Sequence, residues 1–187
     1  MSELAISAAP ANRYDPVSIL LHWLVALLVV VQFALGELWD FFPRPVHHLM
    51  VVTHMSFGVI LTAVLLCRLV WRFVLGHEVE DFTSGLIRVA SRSMHYLLYA
   101  LLIIQAVLGF LWPWTESHAL NFFGLAIPSP FGAFSKATND TVSELHDINA
   151  WVIIVLAGGH AAAALAHHFI LRDRILSLML PARWDRG

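Results

Sequence analysis

Four histidines fall where an imidazole is costly to keep. The chain carries 11 His among 187 residues, and His22, His54, His146 and His160 lie inside or at the lip of long apolar runs. A polar ring within hydrocarbon needs a partner, so an intramembrane ionisable residue reads first as a functional feature. His146 and His160 are 14 residues apart, which on a helix places them on one face and roughly 21 Å apart along the axis. One face therefore carries two ligand positions, one near each end. Imidazoles presented by facing helices can ligate a metal, either as an ion held by several side chains or as the iron of a porphyrin gripped from both sides.

The elements that must position these rings are membrane helices. Hydrophobic residues make up 59% of the chain and charged residues only 13%, against about 25% charged in soluble domains, which excludes a water-soluble globular enzyme. Uncharged windows run over 16–36, 45–67, 93–115, 117–135 and 148–171, each near the length that spans a bilayer. The fourth window contains Asn121, Gly124, Pro128, Pro130 and Gly132, which would leave backbone groups unpaired in lipid, so it reads as a loop. The expectation is an all-α integral membrane protein, a four-helix bundle in one domain over 1–187, with helices at roughly 16–36, 47–74, 93–114 and 144–171.

Cation placement sets the orientation. Arg13, Arg68, Arg72, Arg88, Arg92, Arg172, Arg174, Arg183 and Arg186 share one side, against Arg44 and Lys136 on the other, so both termini are expected in the cytoplasm. Trp39, Trp71, Trp112 and Trp114 fall near helix ends, as an interfacial aromatic belt requires. The first fifteen residues lack the order of a signal peptide and read as retained, with a short mobile tail around Pro10. A single cysteine, Cys67, permits no intrachain disulfide, and no C-x-x-C-H is present for covalent haem attachment. A net charge of -2 without a basic run gives no footprint for nucleic acid. No internal repeat or linker is seen.

With this orientation the rings fall at two depths. His22 lies early in an inside-to-outside helix, at the level of His160, and His54 lies early in an outside-to-inside helix, level with His146. Gly58, and Gly158, Gly159 and the run Ala161 to Ala164 around His160, leave room for a flat macrocycle, although small residues also serve close helix packing. A zinc-type site would need three or four His, Asp or Glu at one level. The inner level offers His22, His95, His160, His167 and His168, yet the spans hold no carboxylate and the outer level holds only a pair. Haem held between helices fits better, with His95 left open as a competing inner ligand.

The stretches SILLHWLV, FFPR, VTHMSFG, MHYLLYALL, FFGLAIPSP, ELHDINAW and GGHAAAALAHHF, in order along essentially the whole chain, resemble the bacterial cytochrome b561 family, which includes superoxide oxidase and is related to the b-type cytochrome subunits of hydrogenases. The resemblance implies two non-covalent b haems, one ligated by His22 and His160 and the other by His54 and His146, ubiquinone as an electron partner, and a place in the bacterial inner membrane and respiratory chain. It also removes His95 from the ligand set, leaving it as a supporting or quinone-site residue. Asp147, directly after His146, departs from the glutamate expected there and implies a local change in the hydrogen bonds around that ring.

Other residues are weighed against plainer roles. Arg68 follows His54 by 14 residues and so reaches the inner level, where it could fork onto haem propionates, as could Arg72, or else snorkel to headgroups. His167, about two turns beyond His160, could donate a hydrogen bond to a quinone carbonyl or sit wetted at the interface. Lys136 is a candidate attractor for a small anion, or a solvated loop lysine. His47, His48, His77 and His118 read as solvated loop residues. Two imidazoles per iron leave no open position, so the protein is expected to relay electrons and no side chain is assigned as catalytic. The leading expectation is a superoxide:ubiquinone oxidoreductase; the alternative is a haem subunit passing electrons between quinone and a partner redox protein.

Overall fold

A computed structural model describes residues 13–75, 85–132, 134–173 and 175–180. Four long helices dominate: α1 (Pro16–Leu38), α2 (Arg44–Val70), α3 (Gly85–Thr115) and α4 (Lys136–Ala166). All four are long and apolar enough to cross a membrane. Leucine, isoleucine and valine side chains such as Leu27, Val30, Ile104 and Val155 stay exposed along them, which is the surface a lipid-facing bundle presents and a soluble one would bury.

The helices run longer than the sequence reading gave them. α2 begins at Arg44 rather than 47, α3 at Gly85 rather than 93, and α4 at Lys136 rather than 144. Counting between charges measures the hydrocarbon crossing, whereas the helix continues into the polar zone, where charged side chains cost little. α1 starts where Asp15 caps it, its carboxylate accepting from the N–H groups of Val17 and Ser18 at 3.0 and 2.9 Å, with Pro16 in the first turn. Ser135 caps α4 by accepting from Thr138 N–H at 3.1 Å. α2 and α4 each widen into a π turn, at Trp71–Leu75 and His167–Leu171.

The fourth apolar window is not a membrane helix, as expected, but it is more ordered than a plain loop. β1 (Leu120–Phe122) pairs with β2 (Leu125–Ile127) in an antiparallel hairpin. Its two-residue turn, Phe123 and Gly124, has φ of 48° and 93°, the positive values that match hairpin twist. Ser56 of α2, fully buried, fastens the hairpin by accepting from Phe123 N–H at 2.8 Å while donating to Val52 O at 2.7 Å.

α1 packs chiefly on α2, and α3 on α4, with fewer contacts between the two pairs. The seam between these pairs is where the site lies. The N-terminal segment, the end of α2, and the Leu176–Met179 turn gather at one end of the bundle, here the terminal end, joined by Trp71 Nε1 to Asp15 at 3.1 Å and Trp23 Nε1 to Met179 O at 2.8 Å. The opposite end carries the β-hairpin.

Candidate cofactor site

At the hairpin end, His54 of α2 and His146 of α4 face each other with ring centroids 6.2 Å apart. At the terminal end, His22 of α1 and His160 of α4 stand 6.4 Å apart. Two imidazole nitrogens each about 2 Å from a shared metal, plus ring radii of roughly 1.1 Å, place centroids about 6 Å apart. Both separations therefore suit bis-imidazole ligation of one iron. Among the described residues no three His, Cys, Asp or Glu side chains converge as a metal-ion site, which removes the zinc-type alternative there.

The hairpin-end pair opens on a cavity of about 490 Å³ that reaches from Glu37 and His118 at its mouth to Thr62 and Leu65 midway through the bundle, a size within the range of cofactor sites. Trp39 meets His54 at 5.3 Å and Trp112 meets His146 at 5.4 Å between ring centroids, walling the pair with aromatic surface. Gly36 and Gly109 line it beside the rings, where an added Cβ would stand in ordinary contact, 3.7 Å from His54 Cε1 in the first case and 3.5 Å from His146 Nε2 in the second. Gly58 also lines the cavity. The Nδ1 atoms of His54 and His146 are buried without hydrogen bonds. Asp147 Oδ1 is 3.6 Å from His146 Nδ1, too far to satisfy it. The donor set, the spacing and the apolar lining all fit a flat iron macrocycle.

The terminal-end pair is more crowded. His95 of α3 stands 5.2 Å from His160 between ring centroids, but its Nδ1 is taken by Ser91 O at 2.7 Å, and it sits ten residues into its helix rather than at the start. Arg68, 9% exposed, donates from Nε to Tyr99 Oη at 2.9 Å and keeps Nη1 buried without a partner. Its charge bears on both His22 and His160. Arg72 instead lies 5.9 Å over the Tyr14 ring. Gly158 and Gly159, expected to make room beside His160, open onto empty space on the exposed side, so the small residues there do not shape a pocket.

His167 is hydrogen bonded through Nδ1 to the Asp173 carboxylate. Lys136 is the first residue of α4 rather than a loop lysine, and it is paired with Asp140 at 2.7 Å. His47 and His118 are also paired, with Asp40 and Glu116; His48 is exposed, and His77, Arg174, Arg183, Arg186 and the Pro10 stretch lie outside the described residues. The sequence reading missed Asp15, Tyr99, Asp173 and the mid-bundle amides Gln32, Gln105 and Asn149. Asn149 Nδ2 donates to Gln105 Oε1 at 2.7 Å and to Leu101 O at 3.0 Å. Asp15 carried a legible signal, an acidic residue before proline at the start of an apolar run; Tyr99 and Asp173 carried none that spacing could show.

A family model described as prokaryotic cytochrome b561 matches residues 13–182. The chain is 33% identical over 174 residues to cytochrome b561 homolog 2 of Escherichia coli K12, covering 90% of this chain and 92% of that protein. It is 29% identical over 175 residues to the probable superoxide oxidase CybB of Yersinia pestis, covering 92% and 98%, and 28% identical over 179 residues to cytochrome b562 of Cereibacter sphaeroides, covering 91% and 96%. The family implies b-type haem, for which the facing imidazoles are suited donors. The chain belongs to the prokaryotic cytochrome b561 family, as a multi-pass membrane protein that carries electrons on b-type haem.

Proposed function

We propose that the protein holds two b haems, one between His54 and His146 and one between His22 and His160, and couples oxidation of superoxide at the hairpin end to reduction of ubiquinone. The single observation that carries this reading is the pair of imidazole couples, 6.2 and 6.4 Å apart, at opposite ends of one bundle. The 29% identity to a probable superoxide oxidase supports the choice of donor. On this reading the membrane is the bacterial inner membrane, with the arginine-rich terminal end in the cytoplasm.

When bound, haem would supply reversible one-electron chemistry. The chain's own groups do the rest. The four imidazoles would hold the iron; Trp39 and Trp112 wall the hairpin-end couple against water; Arg68, with Nη1 unspent, would neutralise a propionate at the terminal end. His167 gives a proton to a quinone carbonyl at the cytoplasmic lip. Overall, two superoxide ions, one ubiquinone and two protons yield two dioxygen and one ubiquinol.

A second reading, a haem subunit that takes electrons from a partner redox protein, is favoured by one feature. The cavity mouth at the hairpin end carries Glu37, Glu116 and Asp147, and Lys136 is already paired, so the local field suits a basic protein surface better than an anion.

Haem stoichiometry in His22→Ala, His54→Ala, His146→Ala and His160→Ala tests the core of the proposal. Each variant is expected to lose one of two haems, with matching spectra within each couple; retention of both haems in any of the four overturns the assignment. Stopped-flow mixing with superoxide, with and without ubiquinone, then separates the two readings.

A further inference from the structure

α4 does not simply end at Ala166. It widens into the π turn His167–Leu171, Arg172 then adopts left-handed backbone at φ 55° and ψ 36°, and Asp173 N–H reaches back to His167 O at 3.1 Å. Left-handed backbone is disfavoured in a non-glycine residue. What the turn achieves is to fold Asp173 onto His167, whose Nδ1 hydrogen bonds Asp173 Oδ2. The second carboxylate oxygen accepts from Ile175 N–H at 3.1 Å, so the carboxylate is held on both sides. Burial alone would raise the Asp173 pKa, but the His167 hydrogen bond and the Ile175 N–H hold it below the usual carboxylate value. The ionised form is therefore the partner His167 meets.

We propose that Asp173 is a positioning residue. It fixes His167 as the Nδ1–H tautomer and leaves Nε2 as the one nitrogen able to exchange a proton with a reducible carbonyl ligand. The inference rests on the reading that a quinone docks at the terminal end, and it adds the group that makes His167 competent there. In the step, two electrons arrive singly from the one-electron donor oxidised at the opposite end. The His167 imidazolium breaks its Nε2–H bond as an O–H bond forms on a quinone carbonyl oxygen; the neutral ring then recovers a proton from cytoplasmic water and the second oxygen is protonated in the same way. Asp173 keeps its charge throughout, so the imidazolium forms beside a fixed anion.

Among the described residues, the other charged or titratable groups around the pair are His168 on the same turn and Arg172, the chain neighbour of Asp173. The packed Leu176–Met179 turn brings no titratable side chain, and behind it lie Tyr14, whose N–H donates to Leu178 O, and Trp23. None of these supplies a second carboxylate to replace Asp173.

The test uses the haem-loaded protein in lipid nanodiscs, with Asp173→Asn, Asp173→Glu and His167→Gln. Nitrogen-15 NMR of the reduced protein reads the His167 tautomer, and the pH profile of short-chain ubiquinone reduction reads its function. Asp173→Asn is expected to abolish the Nδ1–H preference and to change the shape of the profile, while Asp173→Glu retains both. An unchanged tautomer and profile in Asp173→Asn overturns the inference. Undiminished quinone reduction in His167→Gln overturns instead the quinone reading of this end, whatever the tautomer result.

Discussion

Arg68 and Tyr99 are joined 31 residues apart in sequence, the guanidinium donating from Nε to the phenol oxygen at 2.9 Å with its carbon 5.7 Å from the ring centroid. The contact holds a long cation in a buried position and aims it. Nη1, sealed from solvent without a partner, is the donor left over, and a buried unpaired donor on a charged group costs free energy unless an anion meets it.

Arg68→Met is therefore expected to lower the midpoint potential of the terminal-end haem alone, because a nearby positive charge favours the reduced iron. A shift on the order of 50 mV corresponds to about 1 kcal/mol for one electron. Spectroelectrochemical titration of both haems checks it. A shift confined to the hairpin-end haem, or none, removes the propionate role.

Gly109 lines the hairpin-end cavity, and a Cβ there would already stand in contact with His146 Nε2 at 3.5 Å, so a larger side chain would project into the space beside the ring. Gly109→Leu should leave the helices intact yet reduce haem content to one per chain, with the terminal-end spectrum preserved. Pyridine haemochrome assay against protein mass measures it; two haems in this variant would mean that the cofactor does not occupy this cavity.

How far the sequence could lead is visible in these two cases. His146 and His160 share one element, so helical periodicity alone sets their separation and face. The His54–His146 and His22–His160 approaches followed from depth, since orientation fixes which rings lie level. Arg68 could be placed at the right level by the same count, but its hold on Tyr99 spans two helices whose relative rotation no periodicity records. The helix ends were misjudged wherever charges begin, at Gly85 and Lys136, because hydropathy measures the lipid crossing and not the hydrogen-bonded helix. The β-hairpin escaped notice because Phe123 replaces the Asn or Gly that usually announces such a turn; its positive φ is supported by a bond to Ser56, which lies 67 residues away.

Ser56→Ala tests that support. The substitution removes the acceptor for Phe123 N–H, a loss of about 0.5–1.5 kcal/mol. The expected signature is local: faster amide exchange at Phe123 and Gly124, with unchanged exchange in α1 and α3. Wild-type protection at Phe123 would mean that the hairpin is held by its ring contacts alone.

Asp15 links the start of α1 to Trp71. Burial acts to raise its pKa, but hydrogen bonds from Ser18, Trp71 and Val17 together hold it below the usual carboxylate value. A depressed folded-state pKa gives stability that is present above the unfolded value near 3.8 and is lost as pH falls through the folded value. Thermal unfolding of Asp15→Asn should thus differ most from wild type at neutral pH and converge with it once the pH has fallen through the depressed folded-state value. A difference that persists undiminished at low pH would assign the effect to packing.

The two readings of the hairpin end make opposite electrostatic demands. Glu37 and Glu116 at the cavity mouth repel an anion and attract a basic surface. For superoxide, Glu37→Gln with Glu116→Gln should raise the bimolecular rate about 2–3-fold at low ionic strength, the gain fading as salt screens it. Lys136→Glu should have a weaker effect than its formal charge suggests, because Asp140 already neutralises that lysine. A partner protein that docks through lysines would instead lose affinity in the double variant, and the superoxide rate would stay flat across salt. Stopped-flow rates over a range of ionic strengths therefore decide between a small diffusing donor and a protein one, and a flat response in the double variant would rule out electrostatic control of the superoxide reaction at this mouth.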